Sequence, residues 1–390
     1  MSETTDKSTN RVGLILTTGF AMFAMFFGSG NLVFPIVVGM ESAGHLFLAS
    51  LGILLTGVLV PFLGAFAILL FKGESNDFFK TMGKSATFWF PLLALSLMGP
   101  FGVLPRCITV AHGSFFHLYQ IPLWAFSLVF LFFIFLAAYK ESRVLTLIGE
   151  YLTPVLIAAM AVIAGFGIWY GVFPSAEEGR GIKALTSGLS WGYQTMDLLA
   201  AFFFSSYVIY HLPSKLEQEG GSKAVLSVFL RSAMVGAFLL SAIYVSMVAL
   251  GALYQSPLQN MAQEQLLGAI ANIAIGPYGG YVVCVAVVLA CFTTAVVLAS
   301  LFSDFFRERI CNNKISAHFS MLITLLISFL VSTLEFAGIA KVLGPILTTL
   351  YPAAIVLTVM AILNRLWGFK IYRSLVLLTF LTTLLLNFFE

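Results

Sequence analysis

The sequence predicts an all-α, multi-pass membrane protein of about 11 transmembrane helices: two inverted repeats of five, then an extra helix. Three observations carry this. Hydrophobic residues are 60% of the chain and charged residues only 9%, against roughly 25% charged in soluble domains. Apolar runs of bilayer-spanning length recur from end to end. Two of those runs, five apart, are interrupted at mid-depth by small and polar residues.

The polar stretches are loops of about a dozen residues, too short to bury a core of their own. A net charge of +3 argues against nucleic-acid binding. Met1 to Asn10 is polar, and the apolar run after Arg11 is too long for the 7–15-residue core of a cleavable signal, so it is read as the first retained span. Windows of about twenty apolar residues place the spans at Val12–Met40, His45–Phe71, Ala86–His112, Ile121–Tyr139, Val144–Phe173, Leu189–Leu212, Ala224–Leu253, Pro277–Phe306, Ile315–Thr333, Val342–Leu363 and Ser374–Phe389. Gln263–Ile275 is apolar but short, and reads as a helix lying in an extracellular loop. Cys107, Cys284, Cys291 and Cys311 form no Cys-x-x-Cys pair and read as packing residues.

Charge sets the direction. With the N-terminus cytoplasmic, the inside segments hold 16 of the 20 Lys and Arg residues; the outside segments keep Arg180, Lys183 and Lys341, and Arg106 lies within span three. An excess of Lys and Arg marks the cytoplasmic side. An early miscount would scramble the alternation, so the bias supports the count as well as the direction. An odd count places Glu390 outside.

Span one contains Phe26-Phe27-Gly28-Ser29-Gly30-Asn31-Leu32-Val33-Phe34-Pro35. Gly28 to Asn31 are poor helix formers, and a break in hydrocarbon is tolerated only where it faces protein or a wet cavity. Such a run is either a helix-packing face of small residues or a binding site at a broken helix. Its counterpart lies five spans on, in Gly192-Tyr193-Gln194-Thr195-Met196-Asp197. Because five is odd, the two irregular helices run in opposite directions, as an inverted repeat requires.

Asp197 is the one carboxylate deep in any span. At the centre of a spanning helix an Asp costs roughly 2.5–3.5 kcal/mol on insertion scales. It reads as a counter-charge for a substrate ammonium, as a proton or sodium site, or as a cap on the second half of a broken helix. Arg106 follows Gly99-Pro100-Phe101-Gly102-Val103-Leu104-Pro105, which loosens span three. It has three readings: pairing with Asp197, lining the pathway, or snorkelling to the outer surface. Thr293 and Thr294 follow Cys291-Phe292 in span eight. Adjacent helical hydroxyls are commonly spent on carbonyls of the preceding turn, yet a hard monovalent cation also takes neutral oxygens.

These motifs together resemble the branched-chain amino acid:cation symporter family, whose members share the leucine-transporter fold with broken helices 1 and 6. The resemblance runs over nearly the whole chain. It implies uptake of leucine, isoleucine and valine driven by Na+ or H+, with no other cofactor, across the bilayer of a bacterial cytoplasmic (inner) membrane. It implies that Gly28, Ser29, Gly30 and Asn31 hold the substrate carboxylate and that Tyr193, Gln194, Thr195 and Asp197 form the opposite wall. A cation site would draw on the carbonyls of Ala24, Phe27 and Ala290 and the hydroxyls of Thr293 and Thr294. The repeats would cover residues 12–173 and 189–363, with the extra helix at 374–389. Twelve spans are usual in the family against the eleven counted; the span missing is the last, outside the ten-span core.

The same fold carrying another apolar amino acid or a small solute is the alternative reading, and other classes fit less well. An intramembrane enzyme needs paired acids, a Ser–His pair or a metal motif. This chain has one deep acid, and His45, His112, His117, His211 and His318 all fall at span ends. Channels usually carry rings of charge or carbonyl filters repeated by subunits.

Overall fold

The computed structural model describes residues 2–116, 118–138, 153–171, 174–211, 221–370 and 373–389. The expected span ends at Tyr139, Val144, Phe173 and Leu212 lie outside the described residues, as do His117, Lys140, Arg143, Lys215 and Glu390. Regular structure among the described residues is helical. In order the main helices are α1 (Ser2–Phe26), α2 (Ser29–Met40), α3 (Leu46–Leu70), α4 (Ala86–Met98), α5 (Val103–Phe116), α6 (Leu123–Ala138), α7 (Thr153–Tyr170) and α8 (Gly181–Gln194). There follow α9 (Asp197–His211), α10 (Gly221–Leu253), α11 (Leu266–Ile275), α12 (Pro277–Phe305), α13 (Ala317–Ser332), α14 (Glu335–Trp367) and α15 (Arg373–Phe389).

Among the described residues, five helical stretches are long and apolar enough to cross a bilayer alone, including Ala86–Phe116, which runs through α4 and α5. A further crossing is the pair α1 and α2, bent by 73° at its break. Shorter apolar helices occupy the places of the remaining expected spans. The outer surface is apolar: Phe132, Trp169 and Leu381 are more than half exposed, as side chains facing lipid would be. The interior carries the hydroxyls. Ser320, Thr324 and Ser328 form a buried stripe on α13, in which Thr324 and Ser328 each donate to the residue four earlier and Ser320 donates to the Ser303 carbonyl of α12 at 2.6 Å. Small and hydroxylated residues at helix interfaces replace the hydrophobic drive that lipid does not supply.

Two packing groups position the site. In one, α1 and α2 pack on α10 while α8 and α9 pack on α3. In the other, α12 packs on α5, α6 and α13. Close approach in the first group depends on glycine. A Cβ on Gly192 would lie 1.9 Å from Thr56 Oγ1, and one on Gly251 would lie 2.0 Å from the Ile36 carbonyl oxygen. Thr56 reaches Gly192 from a π-helical turn, Leu55–Leu59, within α3. Such turns insert one residue and re-aim the side chains that follow.

Some boundaries differ from expectation. The first half of span six begins at Gly181, not Leu189, because Lys183, Thr186 and Ser187 continue the helix beyond its apolar part. The last long helix runs Glu335–Trp367 rather than Val342–Leu363 for the same reason. Span three is interrupted at 99–102, where glycines and Pro100 were expected to loosen it. Gln263–Gln265 and α11 supply the expected loop helix.

Candidate functional site

The first break falls at Phe27–Gly28, one residue earlier than the Gly-Ser-Gly-Asn run as a whole. Ser29, Gly30 and Asn31 form the first turn of α2, where small polar residues serve the free N–H groups of a helix start. The Gly28 N–H donates to the Phe26 carbonyl at 3.0 Å and to Asn31 Oδ1 at 3.3 Å, which releases the Ala24 carbonyl from its helical bond four residues on. Gly28, Ser29, Gly30 and Asn31 are all buried, and Ser29 Oγ lacks a partner among the described residues.

The second break is Thr195–Met196; Gly192, Tyr193 and Gln194 remain helical. Met196 sits at φ 62°, a left-handed conformation that a non-glycine residue holds only when its surroundings compel it. Asp197 is the first residue of α9. Its carboxylate does not turn back to cap its own helix. Oδ2 accepts from Asn31 Nδ2 at 2.7 Å and from the Tyr244 hydroxyl of α10 at 3.2 Å, and Asn31 Nδ2 is also 2.6 Å from the Tyr244 oxygen. All three side chains are at most 3% exposed. The two breaks therefore meet: a Cβ on Gly30 would lie 3.3 Å from Thr195 Cα.

Two of the three readings open for Arg106 fall away. It neither meets Asp197 nor snorkels, being 1% exposed. Its guanidinium donates through Nη1 to the Gln194 carbonyl and through Nη2 to Gln194 Oε1, both at 2.8 Å. The cation thus serves the C-terminus of α8, where the helix dipole favours positive charge. It also lies 5.2 Å from the Phe34 ring centroid and 5.6 Å from that of Phe336. The Gln194 side chain is held by this contact.

Span eight meets the first break. A Cβ on Gly28 would be 3.3 Å from Thr294 Cγ2 and 3.8 Å from Thr294 Oγ1. Thr293 Oγ1 donates to the Ala290 carbonyl at 2.9 Å, the back-bond usual for a helical threonine, and keeps lone pairs for another partner. Ala24 is half-buried, whereas Phe27, Ala290, Thr293 and Thr294 are buried. The oxygens on this side of the break are neutral, as a hard monovalent cation accepts.

Tyr244 and Tyr351 also reach the breaks, and no motif marks them. The Tyr351 hydroxyl of α14 accepts from the Leu198 N–H at 3.2 Å, and its ring lies 5.2 Å from that of Tyr193. Interfacial tyrosines sit at span ends, so a tyrosine in mid-span was the available signal. Phe34 stacks on Trp191 at 5.3 Å, joining α2 to α8.

The family model described as "Branched-chain amino acid transport protein" matches residues 12–389. Among relatives, the branched-chain amino acid permease BraB of Bacillus subtilis is 30% identical over 363 residues, 90% of this chain and 80% of BraB. The branched-chain amino acid transport system 2 carrier protein of Pseudomonas aeruginosa is 28% identical over 361 residues, 90% of this chain and 81% of the carrier. Among solved structures, the nucleobase-cation-symport-1 family transporter Mhp1, closed with bromovinylhydantoin bound, matches at a TM-score of 0.61 and 13% identity, covering 96% of this chain and 91% of Mhp1. A Na+-coupled sialic acid symporter matches at 0.57 and 10% identity, covering 96% and 88%. At such identities the structural likeness shows the fold, which is the leucine-transporter fold.

Proposed function

The chain belongs to the branched-chain amino acid transport protein family, and from that premise we propose that it imports leucine, isoleucine and valine by symport with a cation. Its relatives are carriers and permeases, and the protein is a transporter rather than an enzyme. The observation that carries the finer reading is the meeting of two broken helices at a buried polar cluster, Asn31, Asp197 and Tyr244.

The substrate carboxylate is assigned to the first turn of α2, at Gly28, Ser29 and Gly30. The Gly28 N–H is taken by Phe26 and Asn31, but the N–H groups of the first turn beyond it and the positive end of the helix dipole favour an anion there. The unpartnered Ser29 hydroxyl adds a donor. Tyr193 and Tyr351 offer an apolar wall for the side chain. Because one methylene is worth only about 1–3 kcal/mol, discrimination among leucine, isoleucine and valine is weak. Asn31, Gln194, Thr195 and Asp197 shape the site: Asp197 orients Asn31, and Arg106 orients Gln194.

Sodium is the proposed coupling cation, with the proton as the competing one. The contact of Thr294 with Gly28 supports sodium, since it sets a neutral hydroxyl beside the break that frees the Ala24 carbonyl. The carbonyls of Ala24, Phe27 and Ala290 and the hydroxyls of Thr293 and Thr294 are the proposed ligands. Cation and amino acid enter from outside, spans one and six shift against the α5–α12 group, and the site opens inward. The cation drives this only by favouring the substrate-competent state.

The pairing of spans one and seven is matched by that of spans six and two, which supports repeats over 12–173 and 189–363 and an extra helix at 374–389. The charge bias supports a cytoplasmic N-terminus, and the bacterial relatives support a bacterial cytoplasmic (inner) membrane. Uptake of radiolabelled leucine into proteoliposomes tests the proposal, under a sodium gradient and then a proton gradient. Saturable uptake that follows sodium and is competed by isoleucine and valine is expected. Uptake competed only by another solute, or driven equally without sodium, overturns the corresponding part.

A further inference from the structure

A second site lies away from the broken helices. A cavity of about 320 Å³ opens where the segment between spans two and three meets the end of span eight. It is lined by Asn76, Asp77, Lys80, Lys84, Thr87 and Arg309, so three cations face one carboxylate. The ion pairs nearby are made by Arg307, to Asp304 at 3.7 Å and to Glu308 at 3.3 Å. Among the described residues none joins Lys80, Lys84 or Arg309 to an acid. The Thr87 hydroxyl donates to the Lys84 carbonyl at 2.7 Å and so fixes the backbone that carries Lys84.

The pocket sits at the level of the membrane surface. Trp89, in the first turn of α4, is 64% exposed, and tryptophans concentrate where membrane meets water. From the same helix end an apolar cleft of about 340 Å³ runs between α4, α14 and α15, with Met82, Trp89, Leu93, Leu357 and Val376 among its walls. A free inorganic anion would use the basic pocket and have no use for the cleft. A phospholipid uses both, and basic pockets between transmembrane helices recognise anionic headgroups.

We infer that pocket and cleft together bind an anionic phospholipid, its phosphate held by Lys80, Lys84 and Arg309 and an acyl chain lying along the cleft beside Trp89. With the orientation proposed above, this is a lipid of the cytoplasmic leaflet. The lipid would tie the end of span eight to the segment between spans two and three. The inference is independent of which solute the transporter carries.

Native mass spectrometry of the full chain, titrated with dioleoyl-phosphatidylglycerol or dioleoyl-phosphatidylcholine, tests it without any transport readout. The wild type is expected to retain phosphatidylglycerol in preference to phosphatidylcholine. The Lys80→Gln/Lys84→Gln/Arg309→Gln variant should lose retention by on the order of fivefold per cation removed. The Arg180→Gln/Lys183→Gln variant, which loses two cations elsewhere, should retain the lipid as the wild type does. If the triple variant does not fold, single Lys84→Gln and Arg309→Gln variants should each show the fivefold loss. Wild-type retention in the triple or both single variants, equal loss in the control, or displacement of the lipid by excess inorganic phosphate overturns the assignment.

Discussion

Asn31 Nδ2 lies 2.7 Å from Asp197 Oδ2, and this contact joins the first turn of α2 to the first turn of α9. Two helix N-termini therefore converge on one buried carboxylate. Each presents partial positive charge to the crossing point. Asn31 also closes the chain onto itself through Gly28, so one side chain organises both its own break and the contact with the other.

Asn31→Ala leaves the Asp197 carboxylate with the Tyr244 hydroxyl as its remaining partner in this cluster. A buried group stripped of a partner costs about 1–3 kcal/mol, so a lowered melting temperature in detergent and roughly tenfold or greater loss of leucine uptake are expected. Tyr244→Phe should cost less, because Asn31 remains. The double variant should depart from additivity by about 0.5–3 kcal/mol; strictly additive losses would refute a shared network.

Arg106→Lys is not a conservative change here. Lysine cannot reach the Gln194 carbonyl and amide oxygen in parallel as the guanidinium fork does. Hydrogen bonds to a charged group are worth about 1.5–3 kcal/mol, so a clear fall in thermal stability is expected for Arg106→Lys and a larger one for Arg106→Leu. Wild-type stability and uptake in Arg106→Lys would remove the positioning role.

Glycine contacts offer a steric test of the packing. Gly251→Ala would press a methyl onto the Ile36 backbone, which cannot move aside, and loss of folded protein is expected. Gly192→Ala meets the Thr56 side chain and should cost about 1–3 kcal/mol. Gly165→Ala has nothing within 4 Å and should be neutral or slightly stabilising. Size-exclusion profiles and melting curves of the three should rank in that order; a reversed order contradicts the helix pairings.

Thr293→Ala with Thr294→Ala addresses the cation. If these hydroxyls are ligands, half-maximal sodium for leucine uptake should rise by at least roughly tenfold, the worth of about 1.4 kcal/mol. Uptake at saturating sodium should fall less. Sodium dependence identical to wild type would show that the ligands lie elsewhere.

Glu264, half-buried in the loop turn beside Gly113, has a carboxyl raised above its ordinary value of 4.5, first by desolvation and then by the Glu335 carboxylate. The folded loop therefore prefers the protonated acid. Its contribution is fully present below pH 4.5 and declines as pH rises through the folded value. Hydrogen exchange over Gln263–Ile275 should show protection falling with pH in that window once intrinsic rates are removed. Glu264→Gln should abolish the dependence, and a dependence that persists would place its origin in another group.

The class of the protein and the identity of its two broken helices were legible in the sequence, because both follow from local composition. Gly28 to Asn31 are poor helix formers wherever they occur, Gly192 to Asp197 set a glycine, polar groups and an acid in the middle of an apolar span, and the even spacing of apolar runs places the two five spans apart. The first break needed correction by a residue because Ser29, Gly30 and Asn31 favour a helix start as much as they disfavour a helix interior. Span six starts earlier than expected because hydropathy finds the apolar core of a helix and not its polar ends.

Side-chain partners were decided by tertiary structure. Asn31 and Asp197 are 166 residues apart, and Arg106 reaches Gln194 across 88. In a soluble helix the apolar stripe points to the core and restricts such pairings. A membrane helix is apolar on every face, so sequence periodicity does not say which face turns inward or which residues meet. Tyr244 and Tyr351 therefore look like any other mid-span aromatic until the packing of α10 and α14 brings their hydroxyls to the breaks. The sequence by itself determined that a helical transporter would be broken twice. The meeting of the breaks at Asp197, and the service of Arg106 to Gln194 instead, came from helix faces fitting together around close-approach glycines.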